Sequence, residues 1–248
     1  MGLLNEKLSV PLAEMFLESG APAFRIEHFE SILRSLRRDV PSGELLLKSV
    51  SDREQFFLDA HDAGISLDVD KILFPRAAML AQLLANGGSV NVHTGTPYEA
   101  EFIDLLKDLK DKQGFDPSKV TIEVTEHGYI PVHARYSRLE DILSMGFRLA
   151  VDDIDPHSEE NMERVRAING AASMHKFSHK TMEQIRLGGE EKGQALEAIS
   201  ALRRDYPKSA LVMEGITPKD RALFPALADS GITLVQYYRP HSGPKSAL

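Results

Sequence analysis

The sequence predicts an α/β chain, specifically a (β/α)8 TIM-like barrel, from three observations: strand–helix alternation, strands buried on both faces, and polar residues gathered at strand ends. Short apolar runs fall at Ala23–His28, Ser89–His93, Val120–Thr125, Phe147–Asp153, Ala172–Phe177, Ala210–Glu214 and Thr233–Tyr238. None alternates strictly between apolar and polar, which is how strands covered on both faces read. Amphipathic stretches lie between them at Ile72–Leu84, Tyr98–Lys112, Val132–Met145 and Lys192–Arg204. This spacing predicts a parallel sheet, closed or doubly wound, and seven or eight units favour closure.

The remaining elements follow in order. Leu3–Glu18 reads as an opening helix before the barrel or across its base. Residues 1–240 read as one domain, and the polar, turn-rich 241–248 as a flexible tail. A length of 248 residues suits a single barrel. Net charge is −8, which argues against a DNA or RNA polymer as partner and against a polybasic membrane contact. A small phosphorylated ligand stays open, because bound metal ions can supply local positive charge. There is no cysteine, which removes disulfides and thiolate-held zinc. No run approaches the length of a membrane span, and the first 20 residues lack a signal-peptide core, so the expectation is a cytoplasmic protein.

The strand ends carry the chemistry. Asn91, Glu123, Asp152 with Asp153, Lys176, Glu214 and Gln236 each stand at or near the C-terminal end of a different apolar run. In a β/α barrel those ends converge on the face where active sites are built. Each residue alone has a plainer reading: Asp-Asp is a helix-cap signal, and a lone Glu or Asn satisfies loop backbone. Six strand ends bearing such groups together are harder to explain that way. Clustered carboxylates raise one another's pKa, and a divalent cation relieves that cost. An all-oxygen donor set suits Mg²⁺ or Mn²⁺, as one ion or as two bridged by Asp152 and Asp153. The residues alone thus reach a metal-dependent barrel hydrolase without a substrate. His28, His93, His127, His157 and His175 lie beside these positions but show no metal-binding spacing, and read as structural.

In order and spacing these residues resemble the EAL family, which hydrolyses cyclic di-GMP to linear pGpG with Mg²⁺ or Mn²⁺. The name-giving Glu-Ala-Leu-Leu-Arg is similar to Glu30-Ser31-Ile32-Leu33-Arg34, and Asn-Leu-Ser to Asn91-Val92-His93. Glu-Leu-Thr-Glu resembles Glu123-Val124-Thr125-Glu126, the Asp pair resembles Asp152-Asp153, and Lys-Ile-Asp becomes Lys176-Phe177-Ser178. The resemblance implies one metal on Glu30, Asn91, Glu123 and Asp152, and a second on Asp152 and Asp153. It implies water activation by Lys176 and Glu214 with help from Gln236, a phosphate contact from Arg34, and a loop brace at Glu126. It also implies cyclic di-GMP as ligand and a homodimer or a protein partner.

The chain departs from the family at three places. The glycine-rich loop after the Asp pair reads Asp152-Asp153-Ile154-Asp155-Pro156-His157-Ser158-Glu159, and the acids of two other motifs are replaced by Ser178 and Thr217. A catalytically silent module that binds cyclic di-GMP or a protein partner is the alternative these departures leave open.

Overall fold

The computed structural model describes residues 24–31, 41, 43–47, 53–125, 137–168 and 170–237. The expected opening helix, the 241–248 tail, Arg34 and Glu126 lie outside the described residues. The strands are β1 (Phe24–Ser31), β2 (Gly43–Leu47), β3 (Gly88–Val92), β4 (Val120–Val124), β5 (Arg148–Ile154), β6 (Met174–Phe177), β7 (Ala210–Ile216) and β8 (Leu234–Tyr237). They pair in sequence order and close into a barrel.

Seven of the eight strands were legible as apolar runs. The eighth, β2, carries Glu44 ahead of its apolar Leu45–Leu47, the reverse of the pattern that marked the others. The expectation of an all-parallel barrel also needs correction. β2 through β8 pair in parallel, but β1 runs antiparallel to both β2 and β8. Antiparallel neighbours need no crossover helix between them, whereas each parallel pair does.

The α-helices are α1 (Arg53–Asp62), α2 (Ser66–Ala81), α3 (Ala100–Lys110), α4 (Ser137–Ser144), α5 (Glu159–Ile168), α6 (His179–Leu187), α7 (Gly189–Asp205) and α8 (Phe224–Ser230), with short 3-10 helices at Thr96–Tyr98, Pro117–Lys119 and Pro218–Leu223. Two apolar layers result. Outward-facing Val90, Ile122, Leu149, Val151, Leu211, Met213 and Val235 pack against helix residues such as Phe74, Phe102, Leu106, Ile142 and Ile199. Inside the barrel, Ala150, Met174, Ala210, Val212 and Leu234 form a small apolar floor, with Phe29 of β1 packed on it. Strand alternation then fixes what stands above that floor. Asp152 follows Ala150 by two residues, Lys176 follows Met174, Glu214 follows Val212 and Gln236 follows Leu234. A period of two puts all four on the inner face, one layer nearer the C-terminal rim.

Candidate active site

Each parallel strand contributes one inward polar residue to this upper layer. β3 brings Asn91, β4 Glu123, β5 Asp152, β6 Lys176, β7 Glu214 and β8 Gln236; β2 brings Glu44, which sequence reasoning missed. Asn91 and Glu123 are directly paired neighbours on β3 and β4.

Lys176 is the centre of the cluster. Its Nζ lies 2.7 Å from Glu214, 2.8 Å from Asp152, 2.9 Å from Glu123 and 3.2 Å from Glu44. Burial alone would strip its proton, but the carboxylates of Asp152, Glu123, Glu214 and Glu44 hold its pKa well above the usual lysine range. Glu44 is built in most firmly. Its Oε2 accepts from Gln236 Nε2 at 2.8 Å and from Lys176, while its Oε1 accepts from Asn91 Nδ2 at 2.6 Å. Burial works against its charge, yet Lys176 and these donors bring its pKa below the ordinary carboxylate value.

Four carboxylates face one ammonium, so the charges do not balance, and the other carboxyls show the consequence. Burial, with Glu44 and Asp152 adding to it against the pull of Lys176, pushes Glu123 up to about 8. Burial likewise raises Glu214 well above its ordinary value, although about a fifth of its side chain reaches the rim of the cleft.

A divalent cation fits these residues. Carboxylate oxygens of Glu44, Glu123 and Asp152 all lie within 4.8 Å of one another, and all three residues are buried. Asn91 spends its amide N–H on Glu44, and its buried Oδ1 has no hydrogen-bond partner among the described residues. A neutral carbonyl oxygen beside three carboxylates is a donor set for a hard, oxygen-preferring ion.

Glu30 is not among these residues, which corrects the expectation that it holds the metal. It pairs with Val235, an outward-facing residue of β8, and is exposed, whereas its neighbour Phe29 pairs with the inward Gln236. Because β1 runs antiparallel, Ser31 meets Leu234, the first residue of β8. The C-terminal end of β1 therefore lies at the barrel floor, away from the site. Glu44 fills the place assigned to Glu30. A signal was present: Glu44-Leu45-Leu46-Leu47-Lys48, an acid, three aliphatics and a base, matches Glu-Ala-Leu-Leu-Arg at as many positions as the segment at residue 30.

Asp153 sits beside the cluster at the wall of a cleft of about 440 Å³, which Asn91, Asp152 and Glu214 also line. His93 lines the same cleft and stacks on His61, ring centroids 4.8 Å apart. His175 faces outward, its Nδ1 2.7 Å from Ser209 Oγ, and burial lowers its pKa to about 4, so it is a neutral packing residue.

The two lost acids are helix caps. Ser178 Oγ accepts from the Thr181 N–H at the start of α6. Thr217 forms a capping box with Asp220, whose carboxylate also takes two hydrogen bonds from Arg186. Serine and threonine cap well, which gives both substitutions a physical reason independent of chemistry at the cluster.

No protein-family model matches the sequence, and neither does any curated protein. Solved structures do match, beginning with the EAL enzyme Bd1971 in its cAMP- and cyclic-di-GMP-bound form: TM-score 0.76, 14% identity, 95% of this chain and 65% of that one. This chain has the EAL-domain fold. It spans just under two thirds of the Bd1971 chain, but nearly all of two smaller EAL structures. The FimX EAL domain of Xanthomonas citri in complex with cyclic di-GMP matches with TM-score 0.73 at 11% identity, covering 94% of this chain and 91% of that one. The PaMucR phosphodiesterase in its cyclic di-GMP complex matches with TM-score 0.70 at 18% identity, covering 93% and 94%. Among the described residues no helix is long and apolar enough to cross a membrane.

Proposed function

We propose that this chain is a divalent-metal-dependent phosphodiesterase that hydrolyses cyclic di-GMP to linear pGpG. The observation that carries the reading is the inward ring of Glu44, Asn91, Glu123 and Asp152 around Lys176, at the C-terminal rim of an EAL-fold barrel. Similar structures bound to cyclic di-GMP supply the substrate class.

In this reading Glu44, Asn91, Glu123 and Asp152 hold one Mg²⁺ or Mn²⁺, and Asp153 joins Asp152 for a second. When bound, the ion supplies Lewis-acid charge to the phosphodiester and lowers the pKa of water. The chain's own groups do the rest. Lys176 keeps the carboxylates of Glu44, Glu123 and Asp152 close enough to share a cation and offers positive charge to the phosphorane-like transition state. Glu214, at the rim, is placed to accept the attacking water's proton at its carboxylate, and its raised pKa makes it the stronger base. Gln236 donates to Glu44 Oε2 and so orients the remaining Glu44 oxygen. Water adds to phosphorus, one P–O ester bond breaks, and the leaving oxygen takes up a proton. The homodimer or protein partner and the cytoplasmic setting belong to the same proposal.

Incubation of the purified protein with cyclic di-GMP and Mn²⁺, followed by chromatography, is the test. Linear pGpG that disappears with chelator is the expected result; intact substrate at every metal concentration contradicts it.

One observation favours a second reading, a silent nucleotide-binding module. The loop after Asp153 is tied down, with Lys180 Nζ 2.8 Å from Asp155 and Asp155 accepting from the His157 N–H. Calorimetric binding of cyclic di-GMP without turnover distinguishes it.

A further inference from the structure

Arg164 of α5 is a buried cation outside the acidic cluster, and the shape of β5 gives it a task. Between Val151 and Ile154 the β5–β6 register shifts: three steps along β5 match two along β6, from His175 to Phe177. This is a β-bulge, and the residues in it are Asp152 and Asp153. Regular alternation would turn Asp153 away from the barrel interior. Instead both aspartates line the same cleft, and Asp153 adopts φ 49°, the only positive φ of a non-glycine residue among the described residues.

A bulge removes ladder partners from the carbonyls within it, and buried carbonyls need donors from elsewhere. Arg164 supplies them. Its Nη2 donates to the Asp152 carbonyl at 2.5 Å and, more distantly, to the Asp153 carbonyl at 3.4 Å. Asn161 Oδ1 accepts from the same nitrogen at 3.0 Å and also from the Asp155 N–H, which ties the guanidinium to the start of the following loop.

The barrel contains the same construction once more. β7 is bulged between Met213 and Ile216, opposite Val235 and Tyr237, and Glu214 and Gly215 stand in that bulge. Gly215 has φ 68°, and Arg186 of α6 donates to its carbonyl at 2.5 Å. Two bulges, each presenting a carboxylate of the cluster, each have a carbonyl held by a helix arginine.

Resting on the metal-dependent reading above, we infer that Arg164 is a positioning residue that sets Asp152 and Asp153 side by side for metal binding. It acts through the backbone and touches neither metal nor substrate. Where β7 uses a glycine to relax into its bulge, β5 carries a carboxylate there and depends on the guanidinium to hold it.

The test is Mn²⁺ affinity of the full chain, measured by calorimetry, for wild type, Arg164→Gln, Arg164→Lys and Val165→Ala. Val165 is fully buried on the same helix and makes no contact of this kind, so its variant reports loss of packing alone. Removing a group that orients metal ligands typically weakens affinity roughly 10–100-fold. Arg164→Gln is expected in that range. Arg164→Lys is expected to lose several-fold, because one ammonium does not replace a planar fork; it also serves if the glutamine variant does not fold. Val165→Ala is expected to lower thermal stability and keep wild-type affinity. Wild-type affinity in both Arg164 variants, or an equal loss in Val165→Ala, overturns the inference. A wild-type protein that takes up no Mn²⁺ overturns the metal-dependent reading itself, and this inference with it.

Discussion

In β5 the residue that departs from strand geometry is Asp153, with φ 49°; in β7 it is Gly215, with φ 68°. Both bulges insert one extra residue, and both have a carbonyl held by an arginine. They differ in where the strain sits. A side chain in the left-handed region costs roughly 1 kcal/mol or more, less for aspartate than for most residues. At Gly215 that cost is absent, but a Cβ there would stand 2.3 Å from the His179 ring. β7 therefore needs glycine for its conformation and its space, while β5 tolerates strain to gain a second carboxylate. Strain kept next to a cluster of charges is more readily explained by function than by folding.

The comparison breaks most sharply at the group both bulges serve. Lys176→Met leaves Glu44, Glu123, Asp152 and Glu214 without their shared counter-charge. Unfolding by urea in chelator should show a loss of about 3–5 kcal/mol. The variant's carboxyls would have folded pKa values raised above their unfolded ones, so the deficit should grow as pH rises from 6 to 8. A deficit that is flat with pH would mean Lys176 serves packing instead.

The next largest effect separates the two bulges. Gly215→Ala should cost about 1–3 kcal/mol, from strain and the encounter with His179. Asp153→Gly should do the reverse, raising stability by about 1 kcal/mol while weakening metal binding. Thermal melts of the two variants check this, and destabilisation by Asp153→Gly would show that the aspartate is not strained.

A further effect, one that closes at low pH, lies at the arginine beneath β7. Arg186 and the Thr217 cap lower the Asp220 pKa to about 2. A depressed carboxylate stabilises the fold above its unfolded value and loses that contribution as pH falls through its folded one. Asp220→Asn should therefore cost about 1–2 kcal/mol at pH 7, with the difference from wild type closing between about pH 4 and pH 2. Equal stability at pH 7 would mean that Arg186 holds the Gly215 carbonyl without help from Asp220.

Much of this was legible in the sequence, for a reason visible in the floor and rim of the barrel. A parallel strand is short, apolar and ends at the site, so a polar residue closing such a run reveals strand, direction and face together. Asn91, Glu123, Asp152, Lys176, Glu214 and Gln236 were found this way. The same reading failed at β1, where the run Ala23–His28 reads as one more parallel strand although its direction is reversed. Glu30 was assigned to the metal by the resemblance of Glu30–Arg34 to Glu-Ala-Leu-Leu-Arg, and strand direction, which leaves no mark on composition, sets it near the floor instead. Glu44 escaped because it stands second in its strand, ahead of Leu45–Leu47 instead of closing the apolar run. The bulges were illegible for a different reason. Arg164 lies 12 residues beyond Asp152, and only the folded chain brings its guanidinium to that carbonyl.

The most direct measurement is therefore a paired one. Cyclic di-GMP hydrolysis in Mn²⁺ and Mn²⁺ affinity should both be determined for Glu44→Gln and Glu30→Gln. The expected result is that Glu44→Gln loses at least 100-fold in rate and binds Mn²⁺ weakly, as truncation of a charge-stabilising group does, while Glu30→Gln behaves as wild type. Intact activity in Glu44→Gln together with loss in Glu30→Gln would contradict the site described here.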